Sequence, residues 1–314
     1  MVLLRVDIRL KSLLSSRTYT KRSTRMFDKG IRCGLVQTSK RYAKANNHTM
    51  TDFDETKDNS WIIYQDCNNL YGWAMSQYMP HDGLKWIELT LDGLDELDYT
   101  SPIGRVYEVD IEYPENLHLE QFAVLDISKT MMYNHYNVMR KHFKNSIQLM
   151  YTDTDSLVYH IKTHDYYEDL LRKPGLLECT NTTNLPVNHK CFTAERKKIP
   201  GHFSEESDGR TITEFCALRA KTYAYKIDGK EKIKAKGIRG HVVKNHMTFD
   251  DHKKCLFGED NLDRHRQNVS IRSFHHRLKT IITNKLTYNN YDDKMITLED
   301  KINTMAYGYR DLLE

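Results

Sequence analysis

The stretch from Tyr151 to His160, YTDTDSLVYH, sets Asp153 and Asp155 two positions apart in a run that is otherwise apolar and β-prone. Charge buried on a strand is costly unless something compensates it. Residues i and i+2 of a strand share a face, so the two carboxylates can converge on one cation. A third carboxylate, Asp66, closes the apolar run SWIIYQD. An aspartate at a strand end and a separate Asp-x-Asp on a hairpin can together hold two divalent ions about 3.5–4 Å apart. Hard ions such as Mg²⁺ or Mn²⁺ take oxygen ligands and keep waters for substrate phosphates to replace. The D-x-D alone also fits a solvated hairpin turn. Its chemical weight comes from the pairing with Asp66, since both sit beside β-branched and aromatic residues.

Several elements must position these groups. SWIIYQD reads as a buried strand, and Asn68-Asn69 then offers turn and N-cap chemistry before LYGWAM. Residues 147–161 read as two short strands around a tight turn at Thr152 to Asp155. TYAYKIDGKEKIKAKGI (222–238) has two alternating runs split by Asp228-Gly229, a strong hairpin signal. RVYEVDIE (105–112) alternates and predicts a strand. Residues 126–144 predict a helix capped by Asp126 or Ser128. Residues 245–314 read as mostly helical, with caps at Thr248 and Thr297.

Composition bounds the answer. The chain has 314 residues, 39% of them hydrophobic, and a net charge of +4. No run approaches the ~18 apolar residues of a membrane helix. Its six cysteines form no C-x-x-C pair, which argues against a zinc ribbon or disulfide framework and for a reducing compartment. Charge is blocked along the chain. Residues 1–50 carry twelve Lys/Arg against two Asp/Glu, 51–120 three against sixteen, and 219–244 nine against two. Such blocks suit a polyanion held near an acidic, metal-binding site, and each alone also fits a solvated face. Residues 1–25, rich in Arg and Ser, read as a disordered leader with a weak likeness to a mitochondrial presequence. The nucleus and the mitochondrion both fit, and no membrane partner is expected.

The motifs carry a resemblance. DCNNLYGWAM (66–75) resembles the first palm motif of family B DNA polymerases, and YTDTDS (151–156) resembles their Y-x-D-T-D-S motif. LRAKTYAYK (218–226) is similar to the K-x-Y motif of the protein-primed subfamily, which serves viruses, organellar plasmids and mobile elements. The resemblance extends over about residues 26–310. It implies an α+β fold: a palm of antiparallel sheet and packed helices over 26–244, then a mostly helical, thumb-like 245–314. It implies DNA-directed DNA polymerisation with two Mg²⁺ or Mn²⁺ ions. Asp66 and Asp155 would hold the metals, and Asp153 would be a neighbouring acidic catalytic member. Cys67, Asn68, Asn69 and Leu70 would meet the triphosphate, and Tyr71 would stack under the deoxyribose. Lys221 and Tyr223 would grip the primer, joined by Tyr151, Thr152, Lys234 and Lys236. The implied partners are primer-template DNA, dNTPs and, in the protein-primed subfamily, a terminal protein.

The pattern also breaks. Family B polymerases place a fingers helix with K-x-x-x-N-S-x-Y-G between the two aspartate motifs, and its lysine meets the triphosphate. Only 86 residues lie between Asp66 and Asp153, and none of them form that motif. KHFKNS (141–146) mimics its start and lacks the Tyr-Gly. The expected reading is a palm with an internal deletion near 118–121 and no exonuclease domain. Two alternatives compete: a catalytically silent DNA- or nucleotide-binding remnant, and, well behind, a D-x-D glycosyltransferase, which has no use for Asp66 or the basic hairpin.

Overall fold

The computed structural model describes residues 34–77, 92, 93, 96, 101, 123–258 and 262–307, with backbone alone for 6, 7, 110, 111 and 123–126. All of the leader but Val6 and Asp7, all but Asp110 and Ile111 of the expected strand 105–112, and the deletion point near 118–121 lie outside the described residues. Val6 and Asp7 pair antiparallel with Ile111 and Asp110, so these two leader residues are in a strand where disorder was expected. In chain order the strands and helices of the first half are β1 (Val36–Thr38), β2 (Tyr42–Lys44), β3 (Ser60–Cys67), α1 (Leu70–Met75), α2 (Ala123–Phe143), β4 (Ile147–Asp153), β5 (Ser156–Lys162) and α3 (Tyr166–Arg172). There follow β6 (Phe203–Glu205), β7 (Ile212–Arg219), β8 (Thr222–Ile227), β9 (Lys230–Ala235), α4 (Gly240–His246), α5 (Phe249–Phe257), β10 (His265–Phe274), β11 (Arg277–Leu286), β12 (Met295–Thr297) and β13 (Thr304–Ala306).

One mostly antiparallel sheet dominates, in the order β9-β8-β7-β3-β5-β4-β1, with β2 on β7 and β6 on β3. β3 lies inside this sheet and is apolar on both sides, as its sequence requires. Trp61, Ile63 and Cys67 face back, where Leu157, Tyr159 and Ile161 of β5 meet Met132, Met139 and Phe143 of α2. Those three α2 positions recur at near-helical spacing, so one stripe of the helix covers the sheet. Ile62 and Tyr64 face front, among Met150, Tyr151, Val158, Phe215, Tyr223 and Tyr225. A third cluster packs α5 and Tyr288 against Cys216, Leu218 and Ala224 of β7 and β8.

Turn chemistry follows the sequence in two places. Asp228 and Gly229 have φ of 48° and 69°, the left-handed pair a two-residue hairpin of this type needs. Thr248 caps α5, its hydroxyl accepting from Asp251 N at 3.1 Å. Three expectations need correction. α2 starts at Ala123, so neither Asp126 nor Ser128 is its cap; both are inside the helix, and Ser128 is buried. Asn69 holds the N-cap position of α1 in a left-handed conformation, with no side-chain cap. Among its described residues the region 245–314 holds more strand than helix: beyond α5 it folds as the hairpin β10–β11 and the small pair β12–β13. The period-two placement of Val269, Ile271, Thr280 and Ile282, with β-branched neighbours Ile281 and Thr283, outweighs the polar composition that suggested helix. Thr297 ends β12, and its hydroxyl accepts from Arg41 Nη1 at 3.3 Å.

Candidate active site

Strand pairing alone puts the carboxylates on one face. Asp66 lies opposite Ser156 of β5 on one side and Ser204 of β6 on the other. Asp153 also lies opposite Ser156, across the β4–β5 pair. Asp66 and Asp153 therefore flank β5 on the same face, two strand spacings or roughly 9–10 Å apart along the sheet. Between them is the turn Thr154-Asp155. Asp155 N donates to Asp153 O at 2.6 Å, Thr154 N to Leu35 O at 2.8 Å, and Cys67 N to Asp155 O at 2.7 Å. The last bond ties the D-x-D turn directly to the residue after Asp66.

That turn is strained. Thr154 has φ of 57°, an outlier for a β-branched residue, and such conformations cost on the order of 1–3 kcal/mol. Its side chain lies so close over Gly34 that a Cβ there would fall 2.6 Å from Thr154 Cγ2. A larger residue at 34 would push directly on the turn that carries the carboxylates.

The electrostatics are those of crowded acids. The Asp66 carboxyl is pushed up to about 7, first by burial and then by Asp155, Glu206 and Asp153. Asp155 is raised by burial and by Asp153, against its backbone hydrogen bond and Lys221. Glu206 is raised by burial and Asp208, with Lys232 and Lys234 opposing. Burial, Asp66 and Asp155 push the Cys67 thiol up to about 12, so it is no nucleophile. Among the described residues one cation pairs directly with these acids: Lys221 Nζ sits 3.1 Å from Asp153 Oδ1. Among the described residues, no three His, Cys, Asp or Glu side chains are arranged to hold a metal ion. In donor type the set fits a hard divalent cation, because every candidate ligand is a carboxylate oxygen; burial first, and then the neighbouring acids, raise Asp66.

The remaining expected residues divide between surface and interior. Tyr71 is 39% exposed on α1, and Lys221, Lys234 and Lys236 are exposed. Tyr151, Thr152 and Tyr223 are buried. The Tyr151 hydroxyl accepts from Lys221 N at 2.9 Å, and the Tyr223 hydroxyl shares a 3.0 Å hydrogen bond with that of Tyr64. These rings form the wall that carries the site and the Lys221 backbone. In the turn before α1, Cys67 N and Asn68 N donate to Asp155 O and His202 O, so both are engaged within the fold. Leu70 is buried and Asn69 exposed.

Sequence reading missed Glu206, Ser156 and Ser204. Ser156 was visible within the motif, yet its place between two aspartates follows only from strand pairing. Glu206 enters because β6, three residues long, pairs with the end of β3, a contact between segments 140 positions apart that local pattern does not encode.

No protein-family model and no curated protein matches the sequence. Among solved structures the likeness is to phi29 DNA polymerase. Its ternary complex with primer-template DNA and incoming nucleotide aligns at 14% identity and a TM-score of 0.33, over 58% of this chain and 28% of that one. Its post-translocation binary complex with primer-template DNA aligns at 11% identity and 0.36, over 87% and 63%. The chain thus spans between 28% and 63% of the length of these structures, and the likeness is one of distant fold.

Proposed function

We propose that this chain carries the palm of a DNA-directed DNA polymerase of family B type, built for nucleotidyl transfer at a primer end. The observation that carries the reading is the coupling of Asp66 to Asp155 and Asp153 on one sheet face, tied by the Cys67–Asp155 hydrogen bond. Asp66 and Asp155 would hold two Mg²⁺ or Mn²⁺ ions, which supply Lewis-acid stabilisation of phosphoryl charge when bound. Asp153, paired with Lys221, orients the turn. Tyr71 offers an exposed ring beside the strand end. Primed DNA would meet the row Lys230, Lys232 and Lys234, which shares a face with Tyr223 and Tyr225 by strand register. It would also meet the β10–β11 ribbon. The ribbon's five Arg/Lys (Arg266, Arg272, Arg277, Lys279 and Lys285) all fall on one face, and it contains no acid. Phosphate contacts of this kind position DNA without reading sequence.

The absence of a closed ligand set among the described residues favours a second reading, a nucleotide- and DNA-binding remnant with no chemistry. One experiment separates the two. Thermal melts with millimolar Mn²⁺ should raise the melting temperature of the native chain by mass action and leave an Asp66→Ala, Asp155→Ala variant unmoved. In parallel, primer extension with Mg²⁺ and four dNTPs should be negligible until a relative's fingers segment is grafted after Leu117, because orientation of template and nucleotide is a large part of the barrier. Identical Mn²⁺ responses in both proteins would remove the metal site. A graft that binds primed DNA and still fails to extend it would leave the binding remnant.

A further inference from the structure

A triphosphate needs cations from outside the carboxylate set, and Lys221 is already engaged by Asp153. Three consecutive cations, Arg196, Lys197 and Lys198, lie on the loop that leads into β6. β6 runs antiparallel to the end of β3, with Cys67 opposite Phe203. The residues just before Phe203 therefore continue alongside the turn between Asp66 and α1. Two hydrogen bonds fasten them there: Asn68 N donates to His202 O and Gly201 N to Asn68 O, both at 2.9 Å. Gly201, at φ +84°, packs so tightly that a Cβ would lie 2.4 Å from Trp73 Cδ1 of α1. The loop is thus clamped to the same turn that carries Asp66.

Within the loop the three cations differ. Arg196 spends its guanidinium on Leu177 O. Lys198 is held at φ 54°, a conformation a lysine rarely adopts. Lys197 and Lys198 are exposed and have no ion pair or hydrogen bond among the described residues. Only two residues, Ile199 and Pro200, separate Lys198 from the fastened Gly201, at most about 11 Å of chain.

We propose that the loop 195–201 is the phosphate arm of this site, with Lys197 and Lys198 binding the outer phosphates of a nucleoside triphosphate. The proposal rests on the carboxylates being a nucleotide site, and it gives the chain a triphosphate contact without fingers. Recognition would be by charge, so it should depend on the number of phosphates and little on the base.

The test is equilibrium binding of methylanthraniloyl-dATP to the full chain, with Ca²⁺ as the divalent ion, for three proteins. These are the native chain, Lys197→Ala with Lys198→Ala, and Asp66→Ala with Asp155→Ala. Circular dichroism melts confirm folding, and a Lys197→Arg, Lys198→Arg variant tests whether charge alone restores binding. The lysine variant should weaken triphosphate binding by about tenfold or more, given the strength of charge-assisted hydrogen bonds, and the corresponding monophosphate hardly at all. The arginine variant should recover most of the loss. Triphosphate binding that needs the aspartates and ignores the lysines would overturn the phosphate arm and leave the carboxylate site standing. Binding that needs the lysines and ignores the aspartates would keep the arm and overturn the metal-site reading. No binding to the native chain would overturn both.

Discussion

Two hairpins of this chain use the same local device to opposite ends. β4–β5 turns through Thr154 and Asp155, and β10–β11 turns through His275 and His276, which have φ of 48° and 60°. Both turns place non-glycine residues in left-handed backbone. The first hairpin lies inside the sheet, with Met150, Tyr151, Val158, Tyr159 and Ile161 all at 0% exposure. The second is a two-stranded ribbon whose Ile271, Leu278 and Ile282 are 61–79% exposed. It is fastened mainly at its base, where Asn268 Nδ2 and Lys285 Nζ donate to Gly237 O and Arg266 Nε donates to His246 O. Strain at Thr154 is held by contacts with three strands or their flanks; strain at the ribbon tip is held by cross-strand bonds and the edge contact of His275 with Phe274. Precise placement of charge needs the first arrangement. A diffuse cationic surface needs only the second.

The largest expected effect tests whether burial is truly the difference. Ile161→Ala should cost about 2–5 kcal/mol in urea unfolding, because the side chain is fully enclosed and leaves a cavity. Ile271→Ala should stay within about 0.5 kcal/mol, as an exposed substitution. If Ile271→Ala cost 2 kcal/mol or more, the neutral face of the ribbon would be covered in solution and the contrast would fail.

The same contrast explains what the sequence let us read. The D-x-D hairpin, the Asp228-Gly229 hairpin and the strand ending at Asp66 are local and period-two, so pattern and turn residues specify them. The ribbon has the same period, with Val269 and Ile271 opposite Ile282 and Thr280 on one face, yet the charged and polar residues between them make the segment polar overall and masked it. Asp66, Asp153 and Asp155 were legible as carboxylates that strands hold at a cost. Glu206 and the loop at 195–201 were not, since their nearness to Asp66 depends on three-residue β6 finding the end of β3. Tyr223 was legible as a member of a motif, but its burial against Tyr64 depends on sheet order.

An intermediate effect lies in pH. His135 of α2 is fully enclosed, stacked on Phe203 at 3.6 Å, with Nε2 2.9 Å from Gln65 Oε1, and burial drives it down from 6.5 to about 3. Below pH 6.5 the unfolded chain takes up this proton and the folded chain does not. Stability should therefore fall as pH drops from 6.5 toward 3, by about 1.4 kcal/mol per unit from this group. Glu205, raised from 4.5 to about 7 by burial, works in the other direction. Its contribution is complete below 4.5 and is lost as pH rises through 7. Urea unfolding from pH 4 to 8 should show a broad maximum, and His135→Asn should make the acidic limb shallower. An acidic limb unchanged in that variant would shift the acid sensitivity to the other buried histidines, His160 of β5 and His252 of α5, which burial lowers to about 4.

The smallest effect is at the two turns themselves. A two-residue hairpin of this type prefers Asn-Gly, because both positions need positive φ. Replacing His275 with Asn and His276 with Gly relieves left-handed strain, while glycine loosens the unfolded chain and returns part of the gain. The net benefit should be a few tenths to about 1 kcal/mol. It should appear locally: amides of Ile271 and Thr280 should gain hydrogen-exchange protection while amides of Val158 and Tyr159 stay as they were, since a ribbon anchored at its base opens without the sheet. Thr154→Gly should behave differently. It relieves the same strain, yet it removes the side chain packed on Gly34 and the 3.4 Å contact from Thr154 Oγ1 to Asp153 Oδ1. Any change there must register in the whole sheet, because Thr154 N, Asp155 N and Asp155 O are bonded to three different strands or their flanks. Equal protection gained at Ile271 and Val158 in the ribbon variant would mean that the two hairpins unfold as one cooperative unit, and the division between them would have to be abandoned.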